Sequence, residues 1–321
     1  MIYADIQPVR DIYSNCAQNV LMNILQWKGE CPDKLYSTGW SFFYDERCHL
    51  REMGERVNVY RSEFRQLEEC LKSQYGVEII WHRGLASGHS RTLIDHHLSE
   101  GMPAGLLIDS YVCNWQKGYG TYHSSHMIVV IGKHEEGFLC IDPYVSNKIE
   151  LLNFSDFSKG MNGLFTFIFH SRYAHVVWGE ALKKTVQDTL IGIEGIDDFQ
   201  RMRLFSRELL NRQHLLKEEF HYDNVAYVPI IRKTSHIAFG RKSYSLYLRG
   251  LAEAYNLQSM QAYVEDMDNA SKKWSKISSL FMKYGISGFN PEIISRIALE
   301  VNEAADLEER LAYSFLESGV V

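Results

Sequence analysis

Cys16 occupies the position in this chain that best fits a catalytic nucleophile. It follows Asn15 at the start of a segment whose apolar residues recur with helical spacing as far as Trp27, and Gly29 then favours the end of the helix. At a helix N-terminus, the dipole and the unpaired amides stabilise a thiolate relative to a thiol. Alternatively, Cys16 could serve only as a small buried apolar side chain. Catalysis therefore requires a base and a group that orients it.

His126 and Asp142 are the candidates for these two roles. His126 opens the apolar run HMIVVIG, and Asp142 closes the next run, in GFLCIDPY. If the two runs are neighbouring antiparallel strands, the start of the first lies beside the end of the second. The carboxylate would orient the imidazole, which would accept the thiol proton and later protonate a leaving group. Taken singly, His126 is more simply interpreted as a core histidine bonded to a carbonyl, and Asp142 as a carboxylate that caps the Asp-Pro turn. The combination of both residues with Cys16 predicts a triad.

The elements that position these residues are predicted to form an α+β domain. Helices are predicted at Ser62–Gln74 and Thr92–Glu100, each followed by a glycine. Short apolar runs separated by turn residues predict strands at Val77–Trp81, Ala104–Ile108, His126–Ile131, Phe138–Ile141 and Leu164–Phe169. The short connections with Gly and Pro favour an antiparallel sheet. Residues 30–61 have clustered aromatic residues without a clear period and support no definite element.

Long helix-period segments dominate the chain after about residue 177. They are Glu180–Ile191, Phe199–Phe220, Tyr244–Asn256, Met260–Tyr284 and Pro291–Leu316. We therefore predict two domains, a catalytic domain of residues 1–175 and a mostly helical domain of residues 176–321. A lid or substrate domain and a packing or dimerisation module are both compatible with the helical half. The sequence does not indicate the oligomeric state.

The composition limits the classes of function. The apolar fraction of 45% and the charged fraction of 23% are those of an ordinary globular protein, and a net charge of −6 does not favour nucleic acid. No secretory signal opens the sequence and no apolar stretch is long enough to cross a bilayer, so we expect a cytoplasmic protein that binds neither nucleic acid nor membranes. The cysteines form no Cys-x-x-Cys pair, so most should be reduced thiols; they are Cys16, Cys31, Cys48, Cys70, Cys113 and Cys140.

Three features resemble a known family: the helix-start cysteine in NCAQNVLMNILQWKG, the segment HSSHMIVVIGKHEEGFLCIDPY and the helical C-terminal half. They resemble the butirosin biosynthesis protein H family, whose N-terminal domain is similar to C39-type, papain-fold peptidases. The resemblance implies an acyltransferase of bacterial natural-product biosynthesis, in which Cys16, His126 and Asp142 match the nucleophile, base and orienting residue. It also implies an acyl or peptidyl carrier protein that presents a phosphopantetheine thioester, a small-molecule amine as acceptor, and no bound cofactor.

The oxyanion hole is where the sequence differs from that pattern. C39-type enzymes commonly place a glutamine six residues before the cysteine, and Arg10 stands at this position. The backbone amide of Cys16 can still donate, assisted by Gln7, Arg10 or Asn15 as candidate side chains.

Two other functions remain open. The first is a C39-like cysteine peptidase, amidase or thioester hydrolase, in which water performs the second step. The second is a non-catalytic binding module with a structural cysteine. A metal site is not predicted, because neither His123 with His126 nor His96 and His97 with Glu100 has the spacing of a complete ligand set.

The segment of residues 230–250 concentrates positive charge in an acidic protein. Its basic residues are Arg232, Lys233, Arg241, Lys242 and Arg249. It could contact an acidic carrier protein or its phosphate, or it could be a solvated face.

Overall fold

Residues 1, 3–47, 52–58, 64–171, 178–221 and 224–318 are described by the structure, which is a computed structural model. The strands are β1 (Phe43–Tyr44), β2 (Val57–Asn58), β3 (Val77–His82), β4 (Ala104–Asp109), β5 (Ser125–Lys133), β6 (Gly137–Ile141), β7 (Ile149–Asn153) and β8 (Met161–Phe169). The α-helices are α1 (Cys16–Trp27), α2 (Arg65–Tyr75), α3 (Ser87–Ser99), α4 (Phe154–Gly160), α5 (Trp178–Ile191), α6 (Asp198–Asn211), α7 (Gln213–Glu218), α8 (Pro229–Ala254), α9 (Gln261–Ile286) and α10 (Pro291–Glu317). Within the described residues, none of these helices is both long and apolar enough to cross a membrane.

The chain divides into two units by its internal contacts. The first unit consists of Met1–Leu35 and Leu67–His175, and the second of Tyr36–Gln66 and Val176–Val321. This division differs from the sequence-based one in a single segment, because Tyr36–Gln66 lies with the helical unit rather than with the N-terminal one. Residues 172–177, where we predicted the boundary, are outside the described residues.

The first unit is built on a six-stranded sheet in the order β3-β8-β4-β5-β6-β7, and its neighbouring strands are antiparallel. The predicted α+β class with an antiparallel sheet is confirmed. One face of the sheet, including Leu106 and Ile128, packs in a common core with Ile94 and Leu98 of α3. Strand β7 was not predicted, because its run IELLN is short and carries a charge at Glu150.

Helix α1 lies along β5 and fixes the segment that leads to Cys16. Two buried side chains of this helix, Asn19 and Asn23, each form hydrogen bonds with the N–H and the carbonyl of one residue in that segment. Asn19 accepts from the N–H of Asp11 at 2.8 Å and donates to its carbonyl at 3.0 Å, and Asn23 does the same for Val9 at 2.8 and 2.7 Å. Since these amides have no access to water, the bonds are costly to break. The backbone before Cys16 is therefore held in place.

In the second unit, α8 packs against α9, and α10 packs against α9 and α6. The short antiparallel pair β1–β2 belongs to the same unit, and Trp40, Phe42 and Tyr44 are buried in its core. Burial of these aromatic side chains explains why Tyr36–Gln66 is assigned to this unit. Large aromatic groups contribute strongly to a core.

Two helices of the second unit differ from the predictions. The predicted helix Phe199–Phe220 is interrupted at Arg212, whose φ of −126° and ψ of 42° end α6 before α7 begins. The predicted helix Tyr244–Asn256 begins much earlier, at Pro229, which takes the first turn of α8, where a proline is tolerated. Helices α5, α9 and α10 agree with the predictions to within a few residues, and the helical C-terminal region is confirmed.

A buried ion pair lies at the centre of the second unit. Nε of Arg241, in α8, donates to both carboxylate oxygens of Glu308, in α10, at 3.1 Å, and both side chains are fully buried. The indole nitrogens of Trp40 and Trp274 donate to the same carboxylate at 3.0 and 2.8 Å. Glu308 therefore satisfies donors from three separate parts of the unit.

The placement of Arg241 corrects the interpretation of residues 230–250 as one basic surface. Arg241 is buried and also donates to the carbonyl of Ser41 at 2.7 Å, so it cannot contact a partner. Lys242 pairs with Asp268 at 2.7 Å, and Arg249 lies 3.5 Å from the same carboxylate. Much of the positive charge of this segment is neutralised within the unit.

Candidate active site

The structure brings Cys16, His126 and Asp142 together in the first unit. His126 is the second residue of β5 and Asp142 directly follows β6, and these strands pair with Val129 opposite Ile141. Nε2 of His126 lies 2.8 Å from Oδ2 of Asp142. The Cys16 thiol lies close enough to His126 for the imidazole to lower its pKa through a hydrogen bond and through its charge. Because Nε2 faces the carboxylate, Nδ1 is the ring nitrogen left for the thiol.

Cys16 is half-buried at the first position of α1, directly after a reciprocal cap. The side-chain oxygen of Asn15 accepts from the backbone N–H of Gln18 at 2.9 Å, and the backbone N–H of Asn15 donates to Oε1 of Gln18 at 3.2 Å. This capping box starts the helix at the cysteine. The thiol therefore lies at the positive end of the α1 dipole.

A backbone amide of β5 also contacts the thiol. The backbone N–H of Met127 acts as a hydrogen-bond donor to the Cys16 thiol and lowers its pKa. The ladder between β5 and β6 ends at Val129, and Asp142, which follows β6, lies beside His126.

The pKa values of Cys16 and His126 shift in opposite directions. Burial acts to raise the pKa of the Cys16 thiol, but the hydrogen bond and charge of His126 outweigh it, and the pKa lies below its ordinary value. Burial acts to lower the pKa of His126, but the Asp142 carboxylate outweighs it and, with Cys16, raises the pKa to about 10. These opposite shifts favour a thiolate paired with an imidazolium over the neutral thiol and imidazole. The nucleophilic form of the sulfur therefore appears at a lower pH than in an ordinary cysteine.

Two residues that the sequence analysis did not single out hold Asp142. Nε1 of Trp115 and Nε2 of Gln116 donate to its Oδ2 at 2.8 and 3.0 Å, the oxygen that also faces His126. Three donors on one oxygen of a fully buried side chain fix the orientation of the carboxylate. Trp115 and Gln116 lie in the loop between β4 and β5, where no periodic pattern marks them.

The three candidate side chains for the oxyanion hole differ in their exposure and in their hydrogen bonds. Gln7 is exposed and its amide nitrogen donates to Asp5 at 3.0 Å, and Arg10 is also exposed. Asn15 is adjacent to Cys16, but its side-chain oxygen is engaged in the cap. The role of these side chains stays a prediction.

Two of the other histidines considered in the sequence lie near carboxylates outside the candidate active site. His123 lies 2.6 Å from Asp109, and His96 lies 3.8 Å from Glu100. Across the described ranges, no group of three or more His, Cys, Asp or Glu side chains is arranged to hold a metal ion. The described cysteines are free thiols, and Cys48 lies outside the described residues.

Residues 15–143 match the family model described as butirosin biosynthesis protein H, N-terminal. This range contains Cys16, His126 and Asp142 as well as the loop that holds the carboxylate. The resemblance to this family, inferred from the sequence motifs, is confirmed over these residues. No curated protein matches the chain.

The opposite pKa shifts predict selective alkylation of Cys16. Its pKa is lowered, so its thiolate forms at a lower pH than that of Cys31, whose pKa burial raises. At pH 7 we expect iodoacetamide to modify Cys16 more than about tenfold faster than Cys31, and the rate at Cys16 to fall as the pH is lowered through its depressed pKa. Peptide mass spectrometry after timed quenching measures both rates in one sample. In the His126→Asn variant the Cys16 profile should move to higher pH; identical profiles for the two thiols would contradict the ion pair.

Proposed function

We propose that the protein is a cysteine-dependent acyltransferase of antibiotic biosynthesis, with a papain-like first unit. The observation that carries the proposal is the hydrogen-bonded series Cys16–His126–Asp142, with the thiol at a helix N-terminus and the two pKa values shifted in opposite directions. A buried thiol that only fills space needs neither an imidazole nor an oriented carboxylate. The name of the matching family refers to butirosin biosynthesis, which supports a biosynthetic role.

In the first step, the Cys16 thiolate attacks the carbonyl carbon of a thioester. The S–C bond forms as the carbonyl electron pair moves to oxygen, and donors at the start of α1 stabilise this oxyanion. When the carbonyl re-forms, the C–S bond to the donor breaks, and the departing thiolate takes a proton from the His126 imidazolium. The products are an acyl-cysteine, a free thiol and a neutral imidazole.

In the second step, neutral His126 removes a proton from an amine as the amine attacks the acyl-cysteine. The second tetrahedral intermediate collapses by expelling the Cys16 thiolate, and His126 is again protonated. The product is an amide that keeps the second proton of the amine, and the expelled thiolate and the imidazolium restore the ion pair. Asp142 keeps the imidazole in the orientation that serves both steps, held by Trp115 and Gln116.

The donor and the acceptor follow from the resemblance and from chemistry. A phosphopantetheine thioester on an acyl or peptidyl carrier protein is the proposed donor, because a thiol leaves readily and no nucleotide is consumed. A small-molecule amine is the proposed acceptor. The residues assigned to the reaction, including the loop that holds Asp142, all belong to the first unit.

Intact-protein mass spectrometry tests this proposal. The full chain is mixed with simple acyl thioesters, and the rate of loss of any acyl adduct is then measured with and without added amines. We expect a single adduct that an amine removes faster than water does. Equally rapid removal by water would favour a thioester hydrolase or amidase, and no adduct from simple thioesters or from acyl-loaded carrier proteins would favour a binding module.

A further inference from the structure

Gln18 carries a donor that the fold leaves unsatisfied beside the nucleophile. Its side chain is 3% exposed, and its Nε2 is closed to solvent and has no hydrogen-bond partner among the described residues. Buried amide nitrogens are nearly always bonded, and an unbonded one is unfavourable. Such a group at a helix start that also holds a reactive cysteine calls for a functional explanation.

The capping box determines which atom of Gln18 is the unsatisfied one. Its Oε1 accepts from the backbone N–H of Asn15 at 3.2 Å. An amide flip would turn the nitrogen toward that N–H and place two donors against each other, so the bond assigns oxygen and nitrogen. The oxygen is therefore engaged at the backbone next to Cys16, and the nitrogen of the same planar amide is the group without a partner.

The helix start supplies a second donor, which belongs to Cys16 itself. Cys16 is the first residue of α1, and the first N–H groups of a helix have no partner within the helix. The cap uses the side-chain oxygen of Asn15 for the N–H of Gln18. A backbone amide and a side-chain amide at the start of one helix make up the kind of donor pair that stabilises an oxyanion in acyl transfer.

We propose that Nε2 of Gln18, together with the backbone N–H of Cys16, stabilises the oxyanion that forms when the thiol is acylated. This inference rests on the proposed acyl transfer, and it takes the role for which Gln7, Arg10 and Asn15 were candidates from the sequence. As the Cys16 thiolate bonds to the carbonyl carbon, the electron pair of the carbonyl moves to oxygen, and Gln18 donates to that oxygen without giving up its proton. Because solvent does not reach Nε2 in the free protein, the proposal includes a small rearrangement at Cys16 on acylation.

The Gln18→Glu variant separates this role from the structural one. A carboxylate still accepts from the N–H of Asn15, and a negative charge is tolerated at a helix N-terminus, but the donor is replaced by an acceptor. Two rates are measured on the full chain: alkylation of Cys16 by iodoacetamide, which forms no oxyanion, and acylation by a simple thioester, which does. The ratio of acylation to alkylation removes any effect of the variant on the amount of thiolate.

We expect this ratio to fall about 10²- to 10³-fold in Gln18→Glu. Gln18→Met, which lacks the donor and adds no charge, should lower it similarly and replaces the first variant if that one does not fold. Gln26→Glu is the matched control, since Gln26 is an exposed residue of the same helix, and its ratio should equal that of the wild type. A wild-type ratio in a folded Gln18 variant would overturn the inference and leave the acyltransferase proposal standing. Failure of any thioester to acylate the wild type would overturn both.

Discussion

Replacement of Cys16 by alanine is expected to abolish the acyl-enzyme and the turnover of the protein while leaving its fold intact. Loss of the sulfur removes the atom that attacks the carbonyl, and neither His126 nor Asp142 can replace it covalently in the proposed mechanism. Removal of the nucleophile from a triad lowers kcat by about 10⁶-fold in a well-studied case, and we expect a loss of at least about 10⁴-fold. Intact mass after reaction with a thioester and steady-state amide formation measure the two effects.

The fold of Cys16→Ala should be retained because alanine suits the first turn of a helix and the cap at Asn15 does not involve the thiol. Cys31→Ala is the matched control, since it also removes a free thiol, in this case an exposed one, and should keep full activity. An adduct of unchanged amount on Cys16→Ala would show that another residue is acylated, and the proposed nucleophile would then be wrong.

Replacement of Glu308 by glutamine is expected to destabilise the protein by about 3–5 kcal/mol. The side chain hardly changes in size, so no cavity opens, but the charge that compensates Arg241 is lost in a fully buried position. Both carboxylate oxygens accept an indole N–H, from Trp40 or Trp274, in addition to the contact with Arg241. The new amide nitrogen must therefore face donors. Equilibrium urea unfolding followed by tryptophan fluorescence measures the loss in the free energy of unfolding.

Glu303→Gln is the matched control for this prediction. Glu303 lies on the same helix and pairs with Lys273 at 2.6 Å, but its side chain is half-exposed. Ion pairs that water screens contribute little to stability, so we expect the free energy of unfolding to change by less than about 1 kcal/mol. If Glu308→Gln is as stable as Glu303→Gln, the buried carboxylate does not stabilise the helical unit in the way its contacts indicate.

The proximity of Cys16, His126 and Asp142 could be inferred from the sequence for a simple reason. His126 begins one apolar run and Asp142 ends the next, and antiparallel neighbours bring such ends together. Trp115 and Gln116 could not be inferred, because they lie in an irregular loop and contact Asp142 only through the tertiary fold. The catalytic roles of Cys16 and His126 stay predictions, which the alkylation and acylation experiments test.

Gln18 is a different case, because its position was visible in the sequence. A polar cap followed three residues later by Gln is a recognisable capping box, and Asn15 with Gln18 has this spacing. What no pattern shows is that the amide nitrogen of Gln18 is buried without a partner, since this depends on every neighbour in the folded state.

The fold was predictable where a short apolar run or a clear helical period marks an element. Strands such as β4 and β6 show the first pattern, and the long helices α9 and α10 show the second. Residues 229–243 of α8 do not, because this helix buries residues around much of its circumference, among them Arg241, and no single apolar stripe marks its first half. The partners of Tyr36–Gln66 were also hidden, since they lie far away in the sequence.

That distance along the chain matters during synthesis on the ribosome. The carbonyl of Ser41 accepts a hydrogen bond from Arg241, which is translated 200 residues later. The indole of Trp40 donates to Glu308, which is translated 268 residues later. The six strands of the first unit, by contrast, have all been translated once β8 is complete. The nascent chain can therefore assemble the Cys16–His126–Asp142 group early, while the indole of Trp40 lacks its carboxylate partner until α10 has emerged. The helical unit reaches its native contacts later than the first unit does, and incompletely packed apolar side chains favour aggregation during this interval.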